Sequence, residues 1–424
     1  IALWFTDILG VVKSVMIPAA HLQDVIEQGG VHFDGSSIEG FARVAESDMQ
    51  LMPDLQTFTI LPWHDEDNRT ARLICSVERD GKPFVGDPRN ALLRALKRAE
   101  KMGLRFNTGM ELEFFLFYRD SFGKPVLEAP HDFAGYFDMS EEPALKVRRH
   151  MLSTLEDMCI EVISSHSETG SGQHEIDFQY NHALVSADHV LTARVALKTI
   201  ARSHDLHCTF MPRPIATMPG SGMHTHQSLH DNRTGENLFS NKQNGLSELA
   251  SQFLAGQLTH ARAMSAILSP LVNSYKRLGT SFEAPVYVTW AHVNRGALIR
   301  VPAVRAGKEN HTRLELRCPD PSANPYLAST VMLMAGLDGI QQKMSLPEPL
   351  EETLLQHNRG RLRHIATLPE SLGEALDAMA ADDVVLDALG DYISNRYIET
   401  RRQEFDDYNR QVTEWELSRY LNRF

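Results

Sequence analysis

The segment Gly109-Met110-Glu111-Leu112-Glu113-Phe114-Phe115-Leu116-Phe117 sets two acids inside a run of large apolar and aromatic residues. Its composition is that of a buried strand. Side chains alternate along a strand, so Glu111 and Glu113 share one face. Like charges at that spacing repel, and burying them uncompensated is costly. A chain folding around this strand must leave that face to water or bring positive charge to it. A half-exposed strand meets the first demand, and a bound cation the second.

Three further segments carry acids or histidines in similar settings. Glu168 precedes Thr169-Gly170-Ser171-Gly172-Gln173-His174, after which Glu175-Ile176-Asp177-Phe178 starts another strand. The Gly-Ser-Gly stretch suits a tight turn that carries Glu168 and Glu175 toward one point. In Gly220-Ser221-Gly222-Met223-His224-Thr225-His226-Gln227-Ser228, two glycines allow close backbone approach to a ligand, and His224 and His226 share a strand face. Leu314-Glu315-Leu316-Arg317 again sets a carboxylate between apolar neighbours. Taken singly, each has an ordinary reading as a polar loop or structural histidine. Together, five glutamates and a histidine form an oxygen-rich donor set that suits Mg²⁺ or Mn²⁺. No segment contains a thiolate, so zinc is the weaker choice.

Arginines supply the opposite charge at Arg277, Arg295, Arg300, Arg313 and Arg317. Guanidinium forks match carboxylates and phosphates. Divalent cations with arginines are the usual parts of phosphoryl transfer. The GxxxxGK[ST] phosphate loop does not occur, so a nucleotide must be held by other means.

The 424 residues exceed what one core usually serves, which predicts two domains. The formal net charge of −13 argues against a nucleic-acid partner. Four widely spaced cysteines form no CxxC pair, which fits a reducing cytoplasm, and no apolar run is long enough to span a membrane. The chain opens on Ile1 within an apolar run, without the flank of a signal peptide, and some residues are expected to precede it.

Residues 1–85 read as a small β-rich domain. Strands flank a turn at Ile8-Leu9-Gly10, a short helix covers Ala19 to Gln28, and further strands are expected at Thr57–Leu61 and Ala71–Val77. Asp87 and Pro88 read as N-cap and first residue of a helix running to about Met102, which puts the boundary near residue 86 and a larger domain over 86–424. Beyond it, strands are expected at Gly109–Tyr118, His174–Tyr180, Ala284–Trp290, Leu298–Pro302 and Arg313–Arg317. They alternate with helices at Glu142–Met158, Ala187–His204, Leu246–Ala263 and Pro325–Gln341, and a helical tail runs from Asp382 to Leu421.

Phe33-Asp34-Gly35-Ser36-Ser37-Ile38-Glu39-Gly40-Phe41, the Glu-Leu-Glu strand, Gly172-Gln173-His174-Glu175 and Gly220-Ser221-Gly222-Met223-His224 together resemble glutamine synthetase of the bacterial and archaeal type I. So do Asn273-Ser274-Tyr275-Lys276-Arg277-Leu278, Glu283-Ala284-Pro285 and the stretch from Arg317 to Tyr326. The motifs follow the family's order over nearly the whole chain. The resemblance implies an α+β fold: an N-terminal β-grasp domain, then a catalytic domain with an antiparallel sheet flanked by helices. It implies a homo-oligomer, a dodecamer of two stacked hexameric rings with active sites between subunits. It also implies an ATP-dependent ligation of ammonia to glutamate through γ-glutamyl phosphate.

By motif position, the resemblance assigns one metal to Glu113, Glu168 and Glu175 and another to Glu111, His224 and Glu315. Asp34, from the adjacent subunit, would bind ammonium and take its proton. Glu283, on a closing flap, would shield the acyl phosphate. Arg277, Arg295, Arg317 and Gly220 would hold glutamate or its phosphorylated form, while Arg300 and Arg313 would meet nucleotide phosphates and His226 and Ser228 would lie on the ATP side.

The match breaks at Pro219, where ordinary members carry an asparagine that contacts glutamate; proline has neither that side chain nor a backbone N–H. A proline in this turn is familiar from relatives that ligate glutamate to larger amines. Gly279-Thr280-Ser281-Phe282, Gly296 and the stretch 306–311 also depart from the usual pattern. Asp34 and Glu283 favour ammonia, and Pro219 pulls toward a γ-glutamyl-amine ligase. A non-catalytic structural or regulatory member should have lost metal ligands or Asp34, and all are present. The stretch 351–356 lacks the tyrosine adenylylated in some type I enzymes, so that regulation is not expected.

Overall fold

The computed structural model describes residues 1–38, 48–64, 66–241, 245–278, 284–305, 307–351 and 364–424. Strands β1 (Ala2–Thr6) and β2 (Val12–Met16) form the expected hairpin, closed by the Asp7 carboxylate accepting the N–H groups of Leu9 and Val11. A short helix, α1 (Leu22–Glu27), precedes β3 (Val31–Asp34), β4 (Asp48–Ile60), β5 (Ala71–Arg79) and β6 (Lys82–Pro83). The sheet order is β2-β1-β5-β4-β3, with β1 and β5 parallel. This is the N-terminal β-grasp domain that the resemblance implies.

Helix α2 (Pro88–Lys101) starts as its sequence predicts. The Asp87 side chain accepts the N–H of Arg89 at its N-terminus and, with its other oxygen, that of Val77 on β5. One carboxylate thus caps the helix and pins it to the first sheet. Arg89 continues the seam, reaching Asp54 on β4 at 2.7 Å and Asp188 at 3.0 Å.

The second sheet is built on β7 (Leu104–Arg119), 16 residues long. It pairs with β8 (Pro125–Pro130), β10 (Gln173–Phe178), β11 (Asn181–His182), β12 (Leu206–Thr209) and β13 (Thr225–Asp231). The full path runs β14 (Trp290–Ala291), β15 (Ile299–Arg300), β16 (Leu314–Leu316), β13, β7, β10 and β9 (Val162–Ser167). The pairing is antiparallel, as expected, except for the short β14, which runs parallel to β15. Helices α3 (Glu142–Asp157) and α4 (Ala183–Ser203) pack on one another beside it, and α5 (Glu248–Thr259), which is followed by α6 (Ala261–Leu268) and the short α7 (Ser274–Leu278), packs against α8 (Pro325–Gln341). Three more helices, Leu372–Ala380, Asp383–Leu389 and Asp391–Asn409, follow in sequence, then the terminal helix Glu414–Tyr420.

Two expectations fail in instructive ways. Of the run Ala284–Trp290, only Trp290 enters a regular strand, β14. Pro285 lacks an N–H, and Val286 and Val288 bond Leu368 and Ala366 in an isolated bridge. The helix expected over Leu246–Ala263 breaks at His260, where α5 ends and α6 (Ala261–Leu268) begins. There the imidazole sits between Asp382 at 2.7 Å and Asp338 at 3.1 Å. One apolar cluster spans both halves of the chain, from Leu3 and Phe5 to α2 and α8. Among the described residues no helix is long and apolar enough to cross a membrane.

Candidate active site

Sheet register brings the acids together. Glu113 on β7 lies opposite Glu175 on β10, which lies opposite His166 on β9; one step along, Glu111 lies opposite Asp177. Directly opposed residues share a face, and like charges so placed destabilise a sheet. Two successive carboxylate pairs, with Glu113 and Glu175 each only 7% exposed, are a cost that the sheet alone does not offset.

On the other side of β7, Glu111 and Glu113 receive their backbone bonds from the glycine-rich turn: the N–H of Glu111 donates to the carbonyl of His224, and that of Glu113 to Gly222. The turn passes into β13, where His226 lies opposite Glu315 on β16, itself opposite Arg300 on β15. Each predicted ligand therefore sits on a strand or on the backbone-bonded end of one.

Three constellations result among the described residues, one of which, Glu111 with Glu175 and Asp177, shares a member with each of the other two. Donor atoms of Glu111, His224 and Glu315 lie within 4.8 Å of one another, the trio expected from motif position. A second trio joins His166, Glu168 and Glu175 within the same limit. Glu113, expected in that second set, stands beside it. Its carboxylate accepts the Gly222 N–H at 2.9 Å and the Gln173 amide at 3.0 Å. Burial, followed by the charge of Glu168, pushes its pKa up to about 8. Burial, then the charge of Glu113, also raises the pKa of Glu175 far above the carboxylate range, and the Asp177 carboxylate, with a donor atom within 4.8 Å of one on Glu175, raises it further. Two carboxylates in contact need a proton or a cation between them, so this donor set fits divalent metal.

Glu111 behaves in the opposite way. Burial raises its pKa, but hydrogen bonds from His224 at 3.0 Å and His226 at 2.6 Å outweigh that and hold it well below the usual range. Arg313 Nε donates to His226 Nδ1 at 3.1 Å, so the His226 proton lies on Nε2, facing Glu111. Glu315 is gripped by Arg300 at 2.6 Å and by Arg317.

These groups line two adjoining cavities. One, of about 470 Å³, is bounded by Glu113, Glu168, Glu175, His224, Arg277 and Arg295, with Pro219, Gly220, Arg300, Glu315 and Arg317 also on its wall. Arg277 is buried, and its guanidinium donates to the carbonyls of Cys318 and Arg317. The phenol of Tyr136 hydrogen-bonds Arg295. The other cavity, of about 590 Å³, contains His226, Ser228 and Arg313. Glu111 and Asp177 line both, so the cavities meet at the carboxylates.

Asp34 stands apart. It is exposed, caps a short turn by accepting the Ser36 N–H at 2.8 Å, and lines neither cavity of its own chain. Glu283 and the departing stretch 279–282 lie outside the described residues. Sequence reasoning missed His166, Asp177, Gln173, Tyr136 and Tyr180. His166 and Asp177 each stand two residues from a predicted ligand on a strand, which is the signal that would have found them. The others are defined only by tertiary contact.

Family models match two stretches of the chain. The model for the glutamine synthetase β-grasp domain matches residues 1–80, and that for the glutamine synthetase catalytic domain matches residues 85–420. A glutamine synthetase of Halobacterium salinarum is 47% identical over 429 residues, covering 100% of this chain and 93% of the relative. One from Staphylococcus aureus is 46% identical over 427 residues, covering 100% and 95%. Among solved structures, a GmaS–ADP complex superposes with a TM-score of 0.89 at 32% identity, covering 99% of this chain and 96% of that one. A Plasmodium falciparum glutamine synthetase, at 24% identity and a TM-score of 0.88, covers 99% and 95% and shares the fold.

Proposed function

The chain belongs to the glutamine synthetase family, and from that premise we propose that it joins ammonia to the γ-carboxylate of L-glutamate. ATP phosphorylates the carboxylate, giving γ-glutamyl phosphate and ADP; ammonia then displaces phosphate, leaving L-glutamine. The observation that carries this reading is the meeting of two cavities at Glu111 and Asp177, one walled by arginines and acids, the other reaching Arg313 and Ser228. A carboxylate is a poor electrophile, and a site that sets an amino acid beside a nucleotide can turn it into an acyl phosphate.

In this reading Arg277, Arg295, Arg317 and Gly220 orient glutamate, Arg300 and Arg313 hold phosphates, and His226 and Ser228 line the nucleotide side. Glu113, Glu168 and Glu175, with His166 beside them, would hold one divalent cation, and Glu111, His224 and Glu315 another, Mg²⁺ or Mn²⁺ by the oxygen-rich donor set. When bound, such cations neutralise the phosphates and polarise the transferring group. Asp34 would reach the cleft of a neighbouring subunit, bind ammonium there and accept its proton, with Glu283 closing over the acyl phosphate. That Asp34 is exposed and absent from its own cleft supports this sharing, and with it a ring-forming homo-oligomer, a dodecamer by family resemblance. We place the two domains at 1–85 and 86–424 and the protein in the cytoplasm.

A second reading, a γ-glutamyl-amine ligase, is favoured by Pro219 on the cleft wall. Phosphate release with glutamate and ATP, comparing ammonium with methylamine and longer amines, separates the two. Turnover with ammonium is expected; turnover only with a larger amine would overturn the glutamine synthetase reading.

A further inference from the structure

Arg295 lies in the crossover between β14 and β15, on a turn that bonds to itself. Asn294 Oδ1 accepts the Gly296 N–H at 2.9 Å, and the Asn294 carbonyl accepts that of Ala297 at 3.3 Å. The stretch after α8 returns to the entry of this turn. The Trp290 indole N–H donates to the carbonyl of Pro347 at 2.7 Å, the Leu350 N–H to the carbonyl of Trp290 at 2.9 Å, and the Asn294 amide to the carbonyl of Leu350 at 3.0 Å. Glu351 closes the contact. One of its oxygens accepts the His292 N–H at 2.9 Å and His292 Nδ1 at 2.7 Å, and the other accepts the Val293 N–H at 3.0 Å.

Packing does little to hold His292 and Val293, which are both exposed, Val293 at 79%. Two backbone N–H groups on separate oxygens demand an acceptor at each, which the carboxylate form supplies. Burial raises the Glu351 pKa, but the bonds from His292 and Val293 outweigh it and hold it below its usual value. Such charge-assisted bonds are roughly twice as strong as neutral ones. The turn they anchor carries Arg295 to the cleft wall, where the Tyr136 phenol meets it. Glu351 itself lines neither cavity.

We propose that Glu351 is a positioning residue for the reaction: by holding the His292 and Val293 N–H groups, it sets the turn that aims Arg295 into the cleft. The inference rests on the reading of Arg295 as a residue that holds glutamate or its phosphorylated form. A carboxylate on the outer surface then governs how well the amino acid is held without touching it. Misplacing a clamping arginine by about 1 Å costs on the order of a hundredfold in rate.

The test measures phosphate release with glutamate, ATP and ammonium, or with whichever amine the wild type turns over. Glu351→Gln keeps one acceptor oxygen and turns its NH2 toward the other backbone N–H. It should lower kcat/KM for glutamate by about tenfold, the loss of one charge-assisted bond, while the KM for ATP stays within about twofold and the unfolding midpoint within about 3 °C of wild type. His292→Ala removes the imidazole but keeps both N–H groups, so its kcat/KM should stay within about twofold of wild type. In an Arg295→Ala background, Glu351→Gln should have no further effect, because nothing is left for it to position. An unchanged kcat/KM in Glu351→Gln, an equal fall in His292→Ala, or an undiminished fall in the Arg295→Ala background overturns the proposal. If Arg295→Ala itself leaves kcat/KM for glutamate unchanged, the reading of Arg295 fails and this inference with it. If Arg295→Ala lowers it and Glu351→Gln does not, that reading stands and only the role of Glu351 falls.

Discussion

Gly222→Ala is a one-atom probe of whether the cleft works in the arrangement described. Gly222 is bonded to Glu113 in both directions, its N–H donating to the carboxylate at 2.9 Å and its carbonyl accepting the Glu113 N–H at 3.2 Å. Its φ is not positive, so alanine adopts the backbone without strain. The added Cβ would stand 2.7 Å from Arg277 Nη2 and 3.0 Å from both Glu113 Oε1 and His224 Nε2. Ordinary contact is about 3.5 Å, so the Arg277 tip must retreat by about 0.8 Å and the other two by about 0.5 Å. All three atoms are side-chain ends in or beside the cleft, and they yield more easily than backbone. Displacements of this size cost on the order of a hundredfold in rate, about 2.7 kcal/mol, whereas overpacking costs the fold about 1 kcal/mol. Steady-state phosphate release should show kcat/KM for glutamate down by about a hundredfold, while differential scanning fluorimetry shows the unfolding midpoint lower by about 3 °C or less. A variant within about threefold of wild type would refute the convergence of Glu113, His224 and Arg277 on the reacting groups.

Other outcomes follow from the same geometry. Gly220→Ala should cost more stability than Gly222→Ala, because its Cβ would meet the backbone carbonyl of Pro212 at 2.4 Å, which cannot rotate away; the two unfolding midpoints decide it. At His260, burial lowers the pKa, but hydrogen bonds to Asp382 and Asp338 outweigh it and raise it above 6.5. That stabilisation is complete below about pH 6.5 and is lost as pH rises through the raised folded value, so the wild-type midpoint should fall more steeply between about pH 6 and 9 than that of His260→Gln. Asp87→Ala should cost about 1–3 kcal/mol in urea unfolding, since it removes both the α2 cap and the partner of the Val77 N–H. Asp34→Ala and Glu175→Ala should each be inactive alone, yet co-expressed at equal levels they should recover activity approaching about a quarter of wild type if each site draws on two subunits; no recovery refutes sharing.

The strand that carries the paired acids was legible in the sequence because Glu111 and Glu113 break an apolar run, and the helix at Pro88 because Asp87 and Pro88 are local signals. The His260 break was not legible. It depends on Asp338 and Asp382, about 80 and 120 residues away in sequence, and helix periodicity carries no trace of them. The same holds for Gln173, whose amide reaches Glu113 and the carbonyl of Gly220 only once three separate elements have met. Glu113 shows what pairing adds to motif order. Its position among the motifs says nothing of its neighbours, whereas register sets it opposite Glu175, beside the trio of His166, Glu168 and Glu175, with its carboxylate also accepting the Gly222 N–H. Register decides such details, and register is a property of paired strands.

The 16 residues of β7 extend about 50 Å and pair with five other strands, so the carboxylates at its middle are fixed from both sides. Pro219, Gly220, Tyr136 and Ala284, by contrast, reach the cleft from irregular segments. On the proposed function, the carboxylates that would serve phosphoryl transfer are thereby held by paired strands, while Pro219, the residue that bears on the acceptor amine, stands on irregular backbone. A change of acceptor at that turn would leave the pairing of β7 untouched.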